Sequence, residues 1–139
     1  MANYCGKVRT NYFGVKDKEK FKELTSNLES EDNILIEQNK EGKWSIASYA
    51  SIDYLLNYSE DKEDCEYDLD AFFESMKECI ADGDAMIWTE IGNEKLRYFA
   101  AFSVVVTSKD ISGVSLEDCA LNIAKDLLKN DNFKTQMDY

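Results

Sequence analysis

Histidine and proline are absent from this 139-residue chain, and glycine occurs only six times. Without histidine there is no Ser-His-Asp triad and no Cys-His pair, and the commonest general base is gone. The usual nitrogen ligand of a metal site is missing too. The four cysteines, Cys5, Cys65, Cys79 and Cys119, show no C-x-x-C spacing, so no zinc site is expected. Neither G-x-x-x-x-G-K-[ST] nor G-x-G-x-x-G occurs, so no glycine loop is built to cradle a phosphate. No apolar run approaches the roughly 18 residues of a membrane-crossing helix. The opening Met1-Ala2-Asn3-Tyr4-Cys5-Gly6-Lys7 lacks an apolar h-region, which predicts no secretory leader and a cytoplasmic protein. With no proline, no strand is disqualified by one.

Positive charge is also scarce. Sixteen Lys and Arg stand against 28 Asp and Glu, a formal net charge of −12. Direct nucleic-acid binding needs a basic footprint, and anionic membranes repel such a chain. The partner that suits it is a basic protein or a nucleic-acid-binding complex. Acidity by itself also serves solubility. No cofactor is expected, and the oligomeric state stays open between monomer and homodimer.

What is present is a patterned chain. Hydrophobic residues make up 44% and aromatic residues 12%, enough for one domain over residues 1–139 with its own core. The stretch 85–107 organises the rest. Met86 to Ile91 reads as a strand, Gly92-Asn93-Glu94 as a turn, and residues 96–107 as a long second strand. Leu96, Tyr98, Ala100, Phe102, Val104 and Val106 alternate onto one face. Trp88, Tyr98, Phe102 and Val104 are expected to pack against a helix carrying Phe72, Phe73 and Met76.

Residues 6–15 form a strand. An amphipathic helix at 18–28 is capped by Asp17. Residues 33–37 and 43–50 form a smaller hairpin about Asn39-Lys40-Glu41-Gly42. A short helical turn follows at 52–56. Leu69, Phe72, Phe73, Met76 and Ile80 make the apolar stripe of a second helix. Residues 108–113 read as a loop. A third amphipathic helix, carrying Leu116, Ala120, Ile123, Ala124, Leu127 and Leu128, starts at a Ser115/Asp118 capping box. A tail at 130–139 is expected to fray. The order is β-αββ-αββ-α. It predicts an α+β fold with an antiparallel sheet of about five strands and three helices mainly on one face. Cys79 and Cys119 fall on apolar helical faces and are expected to be buried. Cys65 sits among acids that disfavour its thiolate.

Three constellations bear on function. Asp32 followed by Glu41 and Lys43 superficially matches a carboxylate nuclease that holds a metal, but Gly42 marks a turn that would expose Glu41 and Lys43. The acidic run 60–70 lacks the spacing and central glycine of a calcium loop. The same run offers Asp61, Glu63, Asp64, Glu66, Asp68 and Asp70 as a carboxylate surface. Duplex DNA carries one charge per about 1.7 Å, and residues two apart in extended chain lie roughly 6.6 Å apart. Glu66, Asp68 and Asp70 would approach such a row if extended. Separately, Arg9 and Arg97 interrupt apolar strands and, with Tyr12, could form a partner-facing sheet surface.

Two segments carry a resemblance. They are Ala2-Asn3-Tyr4-Cys5-Gly6-Lys7-Val8-Arg9-Thr10-Asn11-Tyr12-Phe13-Gly14-Val15-Lys16-Asp17 and Gly92-Asn93-Glu94-Lys95-Leu96-Arg97-Tyr98. They resemble a family of small acidic uncharacterised proteins encoded on bacterial phages and mobile elements. The resemblance implies the company of host-defence inhibitors of the anti-CRISPR or anti-restriction type. The leading expectation is a non-enzymatic binding protein that inhibits a nucleic-acid-binding defence complex by mimicry. The alternative is an adaptor module of a mobile element, working through its sheet surface or an edge strand.

Overall fold

The computed structural model describes residues 4–137. Residues 1–3, which open the N-terminal segment of the resemblance and the leader reading, and residues 138–139 of the tail lie outside the described residues. The class is α+β, as the alternation predicts. Among the described residues nine strands form two antiparallel sheets, where about five strands in one sheet are expected from sequence.

The chain opens with β1 (Cys5–Thr10), in which Gly6, Val8 and Thr10 point inward and Cys5, Lys7 and Arg9 outward. Asp17 caps α1 (Lys18–Thr25) by accepting from the Lys20 N–H at 3.0 Å, and Phe21 and Leu24 are the apolar residues α1 buries. β2 (Leu28–Ser30) follows, then the hairpin β3 (Leu35–Gln38) and β4 (Trp44–Ser48). The Asn39 side chain closes that hairpin by accepting from the N–H groups of Glu41 and Lys43, while Gly42 takes φ +81°. β5 (Ile52–Asn57), a 3₁₀ turn (Lys62–Asp64) and β6 (Glu66–Tyr67) lead to α2 (Leu69–Met76), which buries Phe72, Phe73 and Met76. Then come β7 (Met86–Glu94), β8 (Tyr98–Val106), β9 (Ile111–Ser115) and α3 (Leu116–Leu128).

The larger sheet has the order β3-β4-β1-β7-β8-β9, and the smaller β2-β5-β6. Core side chains come from the inner face of the large sheet (Val8, Ile46, Met86, Trp88, Val106), from α1 and α2, and from Leu28, Ile52 and Tyr54 of the small sheet. The helices α1 and α2 and the small sheet thus cover one face of the large sheet. At the centre, Trp88 meets Phe73 edge-on at 5.2 Å between centroids and Phe72 at 5.7 Å. Phe21 bridges Phe13 and Trp44 in a second aromatic group.

Several elements depart from the sequence reading. Residues 52–56 form β5, not a helical turn, because Ile52 and Tyr54 alternate inward and pair with β2. Of residues 108–113, read as loop, Ile111 to Gly113 belong to the edge strand β9 (Ile111–Ser115) against β8. Gly92 and Asn93 lie within β7, and the turn falls at Lys95-Leu96-Arg97, with Lys95 at φ +49°. Gly92 is in the strand because it faces Gly6 of β1 and the Tyr4 ring lies over it. A Cβ there would come within 2.4 Å of the Tyr4 hydroxyl. Of the four hairpin residues expected in the core, Trp88 is buried and Val104 packs on the core. Phe102 is only half-buried and Tyr98 is exposed. The expected helix, α2, sets Phe72 and Phe73 against Trp88 instead, and α3, which lies beside β8, buries no residue. Among the described residues no helix is long and apolar enough to cross a membrane.

Asp84 ties the end of the α2 region to the chain after β1. Its carboxylate accepts from the N–H groups of Gly14 at 2.7 Å and Ala85 at 2.8 Å, with the Lys43 ammonium 3.6 Å away. Burial works against the charge, but those donors and Lys43 outweigh it and hold the pKa below 3.8. Asp82 is lowered too, first by its bond from Lys16 and then by one from Ser108. A depressed folded-state pKa contributes stability above the unfolded value, and that contribution is lost as the pH falls through the folded one. The urea midpoint is therefore expected to hold down to about pH 5 and to fall at more acid pH. Asp84→Asn should show a shallower acid slope, and an unchanged slope would remove Asp84 from the account.

Candidate partner-binding surfaces

All six acids of the predicted carboxylate surface are exposed. Local structure places them in three ways. Asp61 caps the 3₁₀ turn through the Glu63 N–H at 3.2 Å, and Glu63 and Asp64 project from that turn. Glu66 lies in β6 and accepts from the Asn57 amide at 2.8 Å. Asp68 caps α2 through the Ala71 N–H, and Asp70 stands in the first turn of α2. The extended row of Glu66, Asp68 and Asp70 therefore stops at Asp68, because Asp70 is already helical. The patch is a cluster and not a ladder with regular spacing.

The small sheet enlarges it. Glu29 of β2 and Asp53 of β5 are direct cross-strand partners, both exposed. Like charges directly opposite in a sheet are destabilising. Tyr67 of β6 hydrogen-bonds to Glu29, and that bond, with desolvation and the nearby Glu29, Cys65 and Asp53 charges, pushes its phenol up to about 12. Among the described residues the ion pairs are Lys16–Asp82, Lys20–Glu78, Lys43–Asp84, Lys77–Glu74 and Arg97–Glu94. None of them neutralises Glu29, Asp53 or an acid of residues 61–70. Glu29 and Asp53 escape sequence reading because they meet only through the β2–β5 pairing, and β5 was expected to be helical.

The second surface is the outer face of the large sheet. Arg9 and Tyr12 line one groove there, of about 500 Å³, together with Lys7, Tyr49, Thr89 and Ile91. The structure thus brings Arg9 and Tyr12 together. Arg97 does not join them. It sits in the turn beyond the last β1–β7 pair, Cys5 with Asn93, and faces Glu94 at 3.7 Å.

Glu90 is buried, and its carboxylate accepts from the Tyr4 hydroxyl at 2.8 Å and the Ser51 hydroxyl at 3.5 Å. Burial, then the bond to Glu90, raises the Tyr4 phenol above its usual range. Of the nuclease-like set of Asp32, Glu41 and Lys43, Lys43 pairs with Asp84 at 3.6 Å. Among the described residues no three Cys, Asp or Glu side chains are grouped to hold a metal ion. Cys79 is fully buried, and burial pushes its thiol up to about 11. Cys119, expected to be buried with it, is exposed because α3 lies against β8 and β9 without covering its own apolar face. A maleimide at neutral pH is accordingly expected to modify Cys119 in the native protein and Cys79 only after unfolding. Peptide mapping that finds Cys79 labelled in folded protein would contradict this burial.

Comparison of the chain with family models, curated proteins and solved structures gives no match.

Proposed function

We propose that this chain is a non-enzymatic binding protein whose acidic surface engages the basic groove of a nucleic-acid-binding complex. On this reading it acts as an inhibitor of a host-defence assembly, of anti-CRISPR or anti-restriction type, by standing in for nucleic acid. One observation carries it: the acids at 61–70, with Glu29 and Asp53, are exposed and have no cation paired to them within the described residues. A fold that opposes Glu29 to Asp53 accepts a cost that a cationic partner would reverse. Uneven spacing fits a protein groove of scattered Lys and Arg better than it fits an imitation of one phosphate strand.

The test is competition. Immobilised defence effector is incubated with the protein at rising salt, with and without duplex DNA. Binding should weaken steeply as screening shortens from about 10 Å at 0.1 M to about 3 Å at 1 M. DNA should displace the protein. Simultaneous, salt-insensitive binding of both would refute the reading.

An adaptor function through the sheet remains the second reading, favoured by the shared groove of Arg9 and Tyr12. It expects Tyr12→Ala to weaken a partner contact that tolerates salt.

A further inference from the structure

Two surfaces of the fold lack a cover among the described residues. The first belongs to α3. Leu116, Ala120, Ile123 and Leu127 fall at spacings of four, three and four along this helix and form one stripe. Leu116 is 68% exposed, Ile123 59% and Leu127 79%. No α3 side chain belongs to the core cluster or packs on it. Isolated helices of this length are marginal in water and depend on packing of an apolar face. The second surface is the outer face of the large sheet. Its registered rows bring Ile91 beside Lys7, and Thr89 beside Arg9, with Ser103 and Val114 continuing the latter row. Ile87, Ile91, Phe99 and Val114 are all exposed on it.

We infer that a second copy of this chain covers both: α3 of each copy seats its apolar stripe on the outer sheet face of the other. Charge supports this occupant. Lys7 and Arg9 stand on the sheet face without an ion-pair partner among the described residues, in a chain of net charge −12. The α3 stripe is bordered by Glu117, Asp118 and Asp126, which are likewise exposed and unpaired there. Acidic helix borders thus meet a sheet face that is locally basic. Area supports the exchange over a simple helix pair. A 13-residue helix is about 20 Å long and 10 Å wide. One such contact is small, while a reciprocal pair approaches the roughly 1,200 Å² of a stable interface. The acidic patch at 61–70 lies outside this contact, so the inference does not rest on the proposed function.

Analytical ultracentrifugation of the full chain, from about 1 to 500 μM, tests it. The parent should form dimers as concentration rises. The double variant Ile123→Ser/Leu127→Ser and the single variant Ile91→Ser alter exposed positions, and circular dichroism checks that both fold. Each should weaken dimerisation at least tenfold. A parent that stays monomeric throughout the range overturns the inference. So does loss in the helix variant with none in the sheet variant, which would mean α3 pairing with α3. Loss in the sheet variant with none in the helix variant, which would mean sheet faces pairing with each other, overturns it as well, as does undiminished dimerisation in both.

Discussion

Reversal of Asp61, Glu63, Asp64 and Glu66 to lysine is expected to abolish capture of a basic partner while the protein stays folded. Each reversal changes the charge by two, taking the net value from −12 to −4. An exposed ion pair contributes only about 0.2–1 kcal/mol. Reversal replaces attraction by repulsion at four positions together, so the summed effect is roughly a hundred- to a thousand-fold in affinity. The structural loss is small. Asp61 caps a three-residue turn and Glu66 accepts one exposed bond from Asn57. Titration of the variant against the isolated effector, beside a urea melt, separates the two effects. Binding equal to that of the parent would remove this patch from the interface. The double variant Glu29→Gln/Asp53→Asn then asks whether the small sheet shares the contact.

The largest effect on stability is expected at Trp88. It is fully buried and touches Phe72 and Phe73. Trp88→Ala should cost about 3–5 kcal/mol, through lost transfer energy and the cavity left behind. Trp88→Phe should cost much less, about 1–2 kcal/mol. It keeps an aromatic ring in place and removes an indole N–H that finds no acceptor among the described residues. Urea midpoints for the pair decide the matter. Equal losses would show that the shape of the indole, and not ring burial as such, holds the centre together.

How far the sequence foretold this depends on the range of the interactions. The helices α1 and α2, the long hairpin and the β3–β4 hairpin were legible, because each carries its own period, cap or turn chemistry within a few residues. Asp17 and Ser115 cap their helices as read. The elements misread are those defined by a distant partner. Ile52 and Tyr54 alternate over too few residues to outweigh a helical reading until β2 pairs with them. Ile111 to Ser115 becomes a strand only because β8 lies beside it. Gly92 looked like a turn residue, but its missing side chain serves the close approach of Tyr4 and Cys5. For the candidate site, exposure of the acids at 61–70 followed from local composition. Glu29 and Asp53 did not, since nothing local to either residue signals the other. The stripe of α3 was read correctly as apolar, and only the assumption that the same chain would cover it failed.

The order of strands in the large sheet carries a consequence for how the chain folds. β1 precedes the other described strands in the chain yet sits inside the sheet between β4 and β7, with Cys5 opposite Asn93 and Thr10 opposite Trp88. The β1–β7 ladder cannot form until most of the chain exists. Folding dominated by such distant pairings is slow, on the order of milliseconds to seconds. In that interval the β7-facing side of β1 is a bare edge able to pair with another chain. A nascent chain that stops before Met86 has no partner for that edge. Refolding yield should therefore depend on protein concentration more steeply than the stability of the finished fold would suggest.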